Sequence, residues 1–258
     1  MELKLRGIKK SYNKEVLKGI DLDLTGYQAI GIIGRSGCGK STLLRLLAGM
    51  EDPDQGAIQI NGMTVNRSSR KAYQRQIGMV FQQHNLFPHL TLLRNITLIL
   101  EKIRGYSEGQ AEKIGKDLLS QLHLKDEMHK HPSKVSGGQA QRAAIARALS
   151  TDPDLIFMDE PTAALDPILT REVLDAVTGL KDSGKAFVFV THEISFVRDF
   201  ADYVVFMEDG RIAENGERQI LSAPKTHALR AFLQAEESSL DKERKGERYD
   251  HQRNLRLV

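Results

Sequence analysis

The sequence predicts an α/β protein with a mainly parallel sheet, an antiparallel β region at its N-terminus and an inserted α-helical region. Short apolar runs typical of buried parallel strands recur along the chain, and segments with helical periodicity separate them. Two segments near the N-terminus instead alternate apolar and polar positions. The alternation of apolar runs with helical segments is typical of a doubly wound sheet, which carries helices on both faces.

The strands are assigned from these patterns in chain order. Residues 3–5 and 20–24 alternate with a period of two, as half-buried strands do. Continuous apolar runs then indicate buried strands at 29–33, 155–158, 187–190 and 204–207. We expect these runs to form the parallel sheet.

A long stretch between the first two buried runs lacks strand patterns. Residues 94–134 show none, and Ser107 followed by Gln110 forms a capping-box sequence that predicts a helix reaching Leu122. We therefore expect a helical insertion at about residues 94–150 within one domain of residues 1–235. Residues 236–258 are almost all polar and mixed in charge, which predicts a charged C-terminal tail that is either a solvated helix or a loose segment.

Composition narrows the class of protein. The chain has 258 residues and a formal net charge of +3, so a small stapled scaffold is excluded and nucleic acid is not an expected partner. The single cysteine, Cys38, cannot form an internal disulfide, which favours a reducing compartment such as the cytoplasm. The N-terminus lacks the apolar block of a signal peptide, and Arg94 and Asn95 interrupt the longest apolar stretch, 90–100. We expect no membrane-spanning helix.

A glycine-rich loop follows the strand at 29–33. It leads into an apolar helix and consists of Gly34, Arg35, Ser36, Gly37, Cys38, Gly39, Lys40, Ser41 and Thr42. In this strand–loop–helix context, the pattern G-x-x-x-x-G-K-S binds phosphate groups through backbone N–H groups and the helix N-terminus. Lys40 can reach the β- and γ-phosphates, and the Ser41 hydroxyl can ligate Mg²⁺. The loop predicts a nucleoside triphosphate site, the alternative being a chance glycine-rich turn.

Acidic residues and a histidine follow later strands of the same sheet. Asp159 and Glu160 end the apolar run at 155–158, where Asp159 can hold Mg²⁺ and Glu160 can act as the base that activates water. His192 follows the run at 187–190 and could donate a hydrogen bond to the γ-phosphate. The alternative is that the acids cap a strand end and that the histidine is structural.

A second anion-binding helix start lies later in the chain. A strong helix former at 140–149 is preceded by Ser136, Gly137, Gly138 and Gln139. One chain therefore offers two half-sites for one nucleotide, which a two-fold dimer resolves if each ATP lies between Lys40 of one copy and Ser136 of the other. The alternative is a glycine-rich helix cap without a ligand.

Taken together and in this order, the motifs resemble the nucleotide-binding subunit of ATP-binding cassette (ABC) transporters, an ATPase with a P-loop NTPase core. The resemblance covers about residues 1–235 and is carried by Gln82, His192 and the segments 34–42, 135–139, 155–160 and 164–166. It implies that Tyr12 stacks on adenine with Val16 beside it, and that Gln82 senses Mg²⁺ and the γ-phosphate. It further implies that Asp166 lies in a loop that crosses the dimer.

Within the family, segments 78–91 and 206–212 are most similar to the ATPases of polar amino acid importers. This resemblance implies the cofactors ATP and Mg²⁺, a peripheral position on the cytoplasmic face of the inner membrane, and an indirect link to a substrate-binding protein. Transmembrane permease subunits would dock near residues 82–91, with the candidate contacts His84, Leu86, Phe87 and Pro88. The alternative for Leu86 and Phe87 is that they fill the core.

The sequence departs from the family pattern at three positions, and none removes a catalytic group. Arg35 stands where Pro is common, Val135 where Leu is usual in the signature, and Ala163 where Ser is common. A separate expectation concerns Cys38, whose pKa the helix N-terminus and Lys40 would lower, making the thiol reactive. The alternative role for Cys38 is a small loop-filling residue.

Other functions remain open alternatives. The ATPase of an ABC exporter, or of an importer for another small solute, would share all the catalytic residues. A soluble ABC ATPase acting on ribosomes or DNA would show a second cassette or a long coiled-coil insertion, and neither pattern is present in the sequence.

Overall fold

A computed structural model describes residues 1–162, 165, 167–181 and 184–238. Ala163, Ala164 and Asp166 lie outside the described residues, as do residues 239–258 of the predicted tail, whereas residues 236–238 are helical. Within the described ranges, no helix is both long and apolar enough to traverse a lipid bilayer.

Ten strands form two sheets in the described part of the chain. In chain order they are β1 (Glu2–Ser11), β2 (Glu15–Thr25), β3 (Ala29–Gly34), β4 (Gln55–Ile60), β5 (Met63–Thr64), β6 (Ile77–Val80), β7 (Leu155–Asp159), β8 (Ala186–Val190), β9 (Tyr203–Glu208) and β10 (Arg211–Glu217). One sheet is antiparallel, in the order β2-β1-β4-β5. The other follows the order β10-β9-β3-β8-β7-β6 and is parallel except for the β9–β10 pair.

Helices connect and cover these strands. They are α1 (Lys40–Leu47), α2 (Arg70–Gln74), α3 (Leu92–Ile99), α4 (Glu108–Gln121), α5 (Gly137–Leu149), α6 (Pro167–Lys181), α7 (Ile194–Phe200) and a helix at 227–238. The α3 helix continues into a π-helical turn, Leu100–Arg104. As the capping box predicts, the Ser107 N–H donates to the Gln110 side chain at 3.0 Å, and α4 begins at the next residue.

The six-stranded sheet separates two apolar cores because successive side chains of a strand point to opposite faces. From β3, Ile30 and Ile32 face the antiparallel sheet and α1. Ala29 and Ile33, from the same strand, face the side covered by α3 to α7 and the helix at 227–238. Strand β3 is buried at every position and lies between β8 and β9, so the loop that follows it starts from the centre of the molecule.

All six predicted strands are present, and the predicted fold class is confirmed. Four strands were not predicted: β4, β5, β6 and β10. Strand β6 has only four residues and contains Gly78, while β10 reads as polar because it lies at the edge of its sheet. Between β6 and β7 the chain is helical or irregular, as the sequence predicts for the inserted region.

Candidate nucleotide-binding and hydrolysis site

The backbone of the glycine-rich loop 34–42 is fixed by its glycines. Gly34, Gly37 and Gly39 have φ values of 147°, 79° and 105°, a region that residues with a side chain rarely adopt. A Cβ at Gly34 would lie 2.2 Å from the Met207 carbonyl oxygen, and one at Gly39 would lie 2.8 Å from Leu17 Cδ2. The loop is therefore pressed against β9 on one side and β2 on the other, and only glycine fits at these two contacts.

Lys40 and Ser41 begin α1 at the end of this loop. Lys40 is buried, and its ammonium donates to the carbonyl oxygens of Gly34 at 2.8 Å and Arg35 at 3.1 Å. The Ser41 hydroxyl donates to Asp159 Oδ1 at 2.8 Å. This bond joins the loop to the carboxyl end of β7, so the predicted partners from distant parts of the chain do meet.

Asp159 and Glu160 occupy different environments at the end of β7. Asp159 is buried, and burial raises the pKa of its carboxyl group, against the opposing effect of the Ser41 hydroxyl. Glu160 has a left-handed backbone, with φ of 45°, and its N–H donates to the Val190 carbonyl at 2.9 Å. This turn places the Glu160 side chain next to the residues that follow β8.

His192 is the neighbour of Glu160 at that position. Its Nδ1 lies 3.6 Å from Glu160 Oε2. The imidazole lowers the pKa of the Glu160 carboxyl group, and the carboxylate in turn raises the pKa of His192. A carboxylate with a lowered pKa stays ionised at neutral pH, which is the state that a general base requires.

The expectation of a reactive Cys38 is wrong. Cys38 is 8% exposed, and a Cβ at Gly34 would lie 3.0 Å from its sulfur, so the thiol faces β3 beneath the loop. Burial raises the pKa of the thiol, and this effect exceeds the lowering effect of Lys40. Cys38 therefore fills space under the loop, which is the alternative role that the sequence left open.

Tyr12 and Val16, the predicted neighbours of the adenine, lie beside the loop 34–42. Tyr12 is in the turn between β1 and β2 and is 54% exposed. Val16 is half-buried, and its carbonyl oxygen would be 3.3 Å from a Cβ at Gly39. The hairpin of β1 and β2 thus borders the phosphate loop on the side of α1.

Gln82 follows β6, which pairs with β7 in the sheet. The Gln82 side chain is exposed, and the chain then forms an irregular loop up to Thr91, the N-cap of α3. Because parallel neighbours end at the same edge, Gln82 is at the same end of the sheet as Asp159 and Glu160.

Three polar side chains of the helical region hold the loop 82–91. Asn95 of α3 is fully buried; its oxygen accepts from the Phe87 N–H at 2.7 Å. Its amide nitrogen lies within 3.3 Å of the carbonyl oxygens of Phe87, Leu90 and Thr91. From α5, Gln141 accepts a hydrogen bond from His84, and Arg147 donates to the carbonyls of Asn85 and His84 at 2.6 and 3.1 Å.

The candidate docking residues differ in exposure. Leu86 is half-buried and packs against the core, as the core-filling alternative states, whereas Phe87 is 38% exposed. Sequence reasoning missed Asn95, Gln141 and Arg147. Their only signal was a polar residue inside an apolar run and polar positions inside a helix, which do not reveal a partner.

Ser136, Gly137, Gly138 and Gln139 form the start of α5. The Gln139 N–H donates to the Ser136 hydroxyl at 3.2 Å, and the Ser136 N–H donates to the Gln139 side chain at 2.9 Å. This is a complete capping box. A Cβ at Gly138 would lie 2.9 Å from Leu169 Cδ2, so glycine allows α5 to approach α6 closely.

Comparisons with known proteins show the family of this chain. Residues 17–163 match the family described as ABC transporter. The glutamine transport ATP-binding protein GlnQ of Escherichia coli (strain K12) is 43% identical, over 85% of this chain and 93% of that protein. The arginine transport ATP-binding protein ArtM of Bacillus subtilis (strain 168) is 39% identical, over 90% and 98%.

A solved structure shares the fold. The dimeric, post-hydrolysis ATP-binding cassette MJ0796, bound to ADP and Pi, has a TM-score of 0.76 and 32% identity. The match covers 84% of this chain and 98% of the MJ0796 chain. The resemblance to the ATPases of polar amino acid importers is therefore confirmed. The chain belongs to the ABC transporter family and is an ATP-hydrolysing subunit of that family's transporters.

Proposed function

We propose that this chain, through an ATPase domain at residues 1–235, hydrolyses MgATP between two copies of itself and so powers the import of a polar amino acid. The observation that carries the proposal is the 2.8 Å bond between Ser41 and Asp159. It joins the phosphate loop to the strand end where Glu160 and His192 lie together. A nucleotide binder without hydrolysis would not need a base at this position.

The phosphate groups would lie along the loop 34–42. Its N–H groups and the start of α1 supply donors, and Lys40 supplies the charge for the β- and γ-phosphates. Ser41, Asp159 and Gln82 offer a hydroxyl, a carboxylate and an amide carbonyl oxygen, and such oxygen ligands suit Mg²⁺. When bound there, the ion would neutralise charge on the phosphate oxygens.

Glu160 would remove a proton from the attacking water, whose oxygen forms the new bond to the γ-phosphorus while the bond to the β-phosphate oxygen breaks. His192 would hold Glu160 in place and donate a hydrogen bond to the γ-phosphate. The ion-pair geometry and the lowered pKa of Glu160 support these roles.

A second copy would complete each site. Its contribution would be the start of α5, with Ser136, Gly137, Gly138 and Gln139, together with Asp166, which lies outside the described residues. The N–H groups at a helix N-terminus attract anions, and Ser136 and Gly137 are exposed. The dimeric state of MJ0796 supports the same arrangement here.

Transport would require membrane subunits, because no described helix could cross a bilayer. The chain would sit peripherally on the cytoplasmic face of the inner membrane, with permease subunits docked on residues 82–91 around the exposed Phe87. A substrate-binding protein would deliver the amino acid from the other side. The glutamine and arginine transport proteins among the relatives support a polar amino acid as cargo.

Glu160→Gln tests the assigned base. The variant keeps the size of the side chain but cannot accept the proton, so we expect hydrolysis to fall at least about a hundredfold while ATP still binds and holds a dimer. Phosphate release and light scattering with ATP measure the two effects. Lys40→Ala is the control, since it should lose binding as well. Undiminished hydrolysis by Glu160→Gln would remove Glu160 from the mechanism.

Mixing two inactive variants tests the shared site. Ser136→Arg should damage only the half-site offered to the partner, and Lys40→Ala only the phosphate loop. A heterodimer of the two would contain one intact site, so an equal mixture should regain activity that neither variant has alone. Activity equal to the sum of the separate variants would mean that each copy works by itself.

A further inference from the structure

The turn that carries Tyr12 is fastened to the loop that follows α1. The Ser11 N–H donates to Asp54 Oδ2 at 2.6 Å, and the Lys10 ammonium donates to the Asp52 carbonyl at 2.8 Å and to Asp54 Oδ1 at 3.3 Å. The tip of the β1–β2 hairpin is therefore held against residues 51–54. Since α1 begins in the phosphate loop, these contacts set the distance between the hairpin and that loop.

The Tyr12 hydroxyl has its own anchor in this segment. It donates to Glu51 Oε2 at 2.5 Å. Burial is the largest effect on the pKa of the Tyr12 phenol and raises it. Glu51 raises this pKa further, whereas the nearby Thr42 hydroxyl lowers it. Thr42 belongs to the phosphate loop, so the hydroxyl end of the ring is bonded to Glu51 and lies near the start of α1.

One face of the Tyr12 ring is already in use. The Lys10 ammonium lies 5.5 Å from the ring centroid, within cation–π range, and 3.9 Å from Glu51 Oε2. Despite these contacts the Tyr12 residue is 54% exposed. A ring held at its edge and covered on one side presents its other face for stacking.

We propose that Glu51 and Lys10 are positioning residues that hold the Tyr12 ring in place for the base of the nucleotide. This inference rests on the proposed function, because it assumes that a nucleotide binds at the loop 34–42. Glu51 fixes the hydroxyl and Lys10 supports one face, so stacking on the other face costs little ordering of the ring. Both residues should therefore affect recognition of the base and leave recognition of the phosphates unchanged.

The test compares MgADP with magnesium pyrophosphate, because both ligands carry two phosphate groups and only ADP has a base. Titration calorimetry gives both dissociation constants for each variant. Tyr12→Ala should weaken ADP binding about tenfold or more through loss of stacking. Glu51→Ala should weaken ADP binding about three- to fivefold, and Lys10→Met about twofold. Pyrophosphate binding should not change in any of the three.

Asp52→Ala provides the matched control. Asp52 is also acidic and adjacent to Glu51, but its carboxylate pairs with Arg70 at 2.6 Å. Its substitution removes the same charge without releasing the Tyr12 hydroxyl, so ADP binding should match the unmodified protein. Equal weakening by Asp52→Ala and Glu51→Ala would reduce the effect to charge alone and overturn the proposal.

A double variant tests whether Glu51 acts through the ring. Tyr12→Phe removes only the hydroxyl, so Tyr12→Phe combined with Glu51→Ala should weaken ADP binding no more than either change alone. Additive effects, or equal weakening of ADP and pyrophosphate by Glu51→Ala, would overturn the assignment. If the unmodified protein bound neither ligand, the proposed function would fail first, and this inference with it.

Discussion

The loops 34–42 and 82–91 follow strands that end at the same edge of the sheet, but they are held in different ways. The first is fixed by its own backbone, through positive φ angles at Gly34, Gly37 and Gly39. The second is irregular and is held by side chains from α3 and α5, chiefly Asn95 and Arg147. The first arrangement suits a rigid phosphate cradle, and the second allows a loop to change position if its side-chain contacts are exchanged.

Gly34→Ala should break the backbone-built loop and produce the largest effect. The new methyl group would meet the Met207 carbonyl oxygen at 2.2 Å, at a φ of 147°. We expect nucleotide binding to be lost and the free energy of unfolding to fall by about 3 kcal/mol. Urea denaturation and ADP titration measure the two effects.

Gly37→Ala is the control for that prediction. Gly37 also has a positive φ, of 79°, but nothing lies within 4 Å of a Cβ there. It should cost about 1 kcal/mol, from the backbone conformation alone. Equal effects of the two substitutions would show that the contact with Met207 does not shape the loop.

Asn95→Leu should break the second loop and spare the first. The substitution leaves the Phe87 N–H without its buried partner, which should cost about 2 kcal/mol. It also removes the side-chain bond to the Thr91 carbonyl, which keeps the bond from the backbone N–H of residue 95. Amide hydrogen exchange should rise in residues 84–91, whereas ADP affinity should stay the same. Gln83→Leu, an exposed change in the same loop, is the control. Loss of ADP binding in Asn95→Leu alone would show that the two loops are not independent.

The difference between the two loops also explains what the sequence could predict. The glycine pattern that fixes the loop 34–42 is local, and so are the apolar runs that became β3, β7, β8 and β9. The bond between Ser41 and Asp159 was also within reach, because two strand ends of one parallel sheet meet at the same edge.

The contacts of the loop 82–91 could not be predicted in the same way. His84 and Gln141 are 57 positions apart, and no pattern in the sequence pairs them. Cys38 is a second case in which tertiary packing decides a property that the local sequence does not show. Its charged neighbour Lys40 was visible in the sequence, but the burial that outweighs Lys40 depends on how β3 and β9 pack.

The smallest predicted effect concerns the pair of Glu160 and His192. The raised pKa of His192 means that its stabilising contribution is complete below about pH 6.5 and is lost as pH rises through the raised value. The lowered pKa of Glu160 means that its contribution is present above about pH 4.5 and is lost as pH falls through the lowered value. The pair therefore stabilises the fold most between these limits.

His192→Gln should remove this pH dependence. The difference in unfolding free energy from the unmodified protein should be below about 1 kcal/mol at pH 5.5, since His192 is half exposed, and should shrink by pH 9. Denaturation at a series of pH values measures it. His227→Gln, at an exposed position in the helix at 227–238, is the control. A difference that does not vary with pH would mean that the pair has no electrostatic contribution.

The position of β3 has a consequence for how the protein is made. Both neighbours of β3 in the sheet, β8 and β9, come from residues synthesised more than 150 positions later. The phosphate loop also needs the Met207 carbonyl beside Gly34 and the bond from the Gly210 N–H to the Cys38 carbonyl, 3.1 Å long. A nascent chain that has left the ribosome only as far as residue 200 holds the whole phosphate-binding motif but lacks β9 and Gly210, which contact the loop. We therefore expect nucleotide binding to become available only after β9 has joined the sheet, late in synthesis and folding.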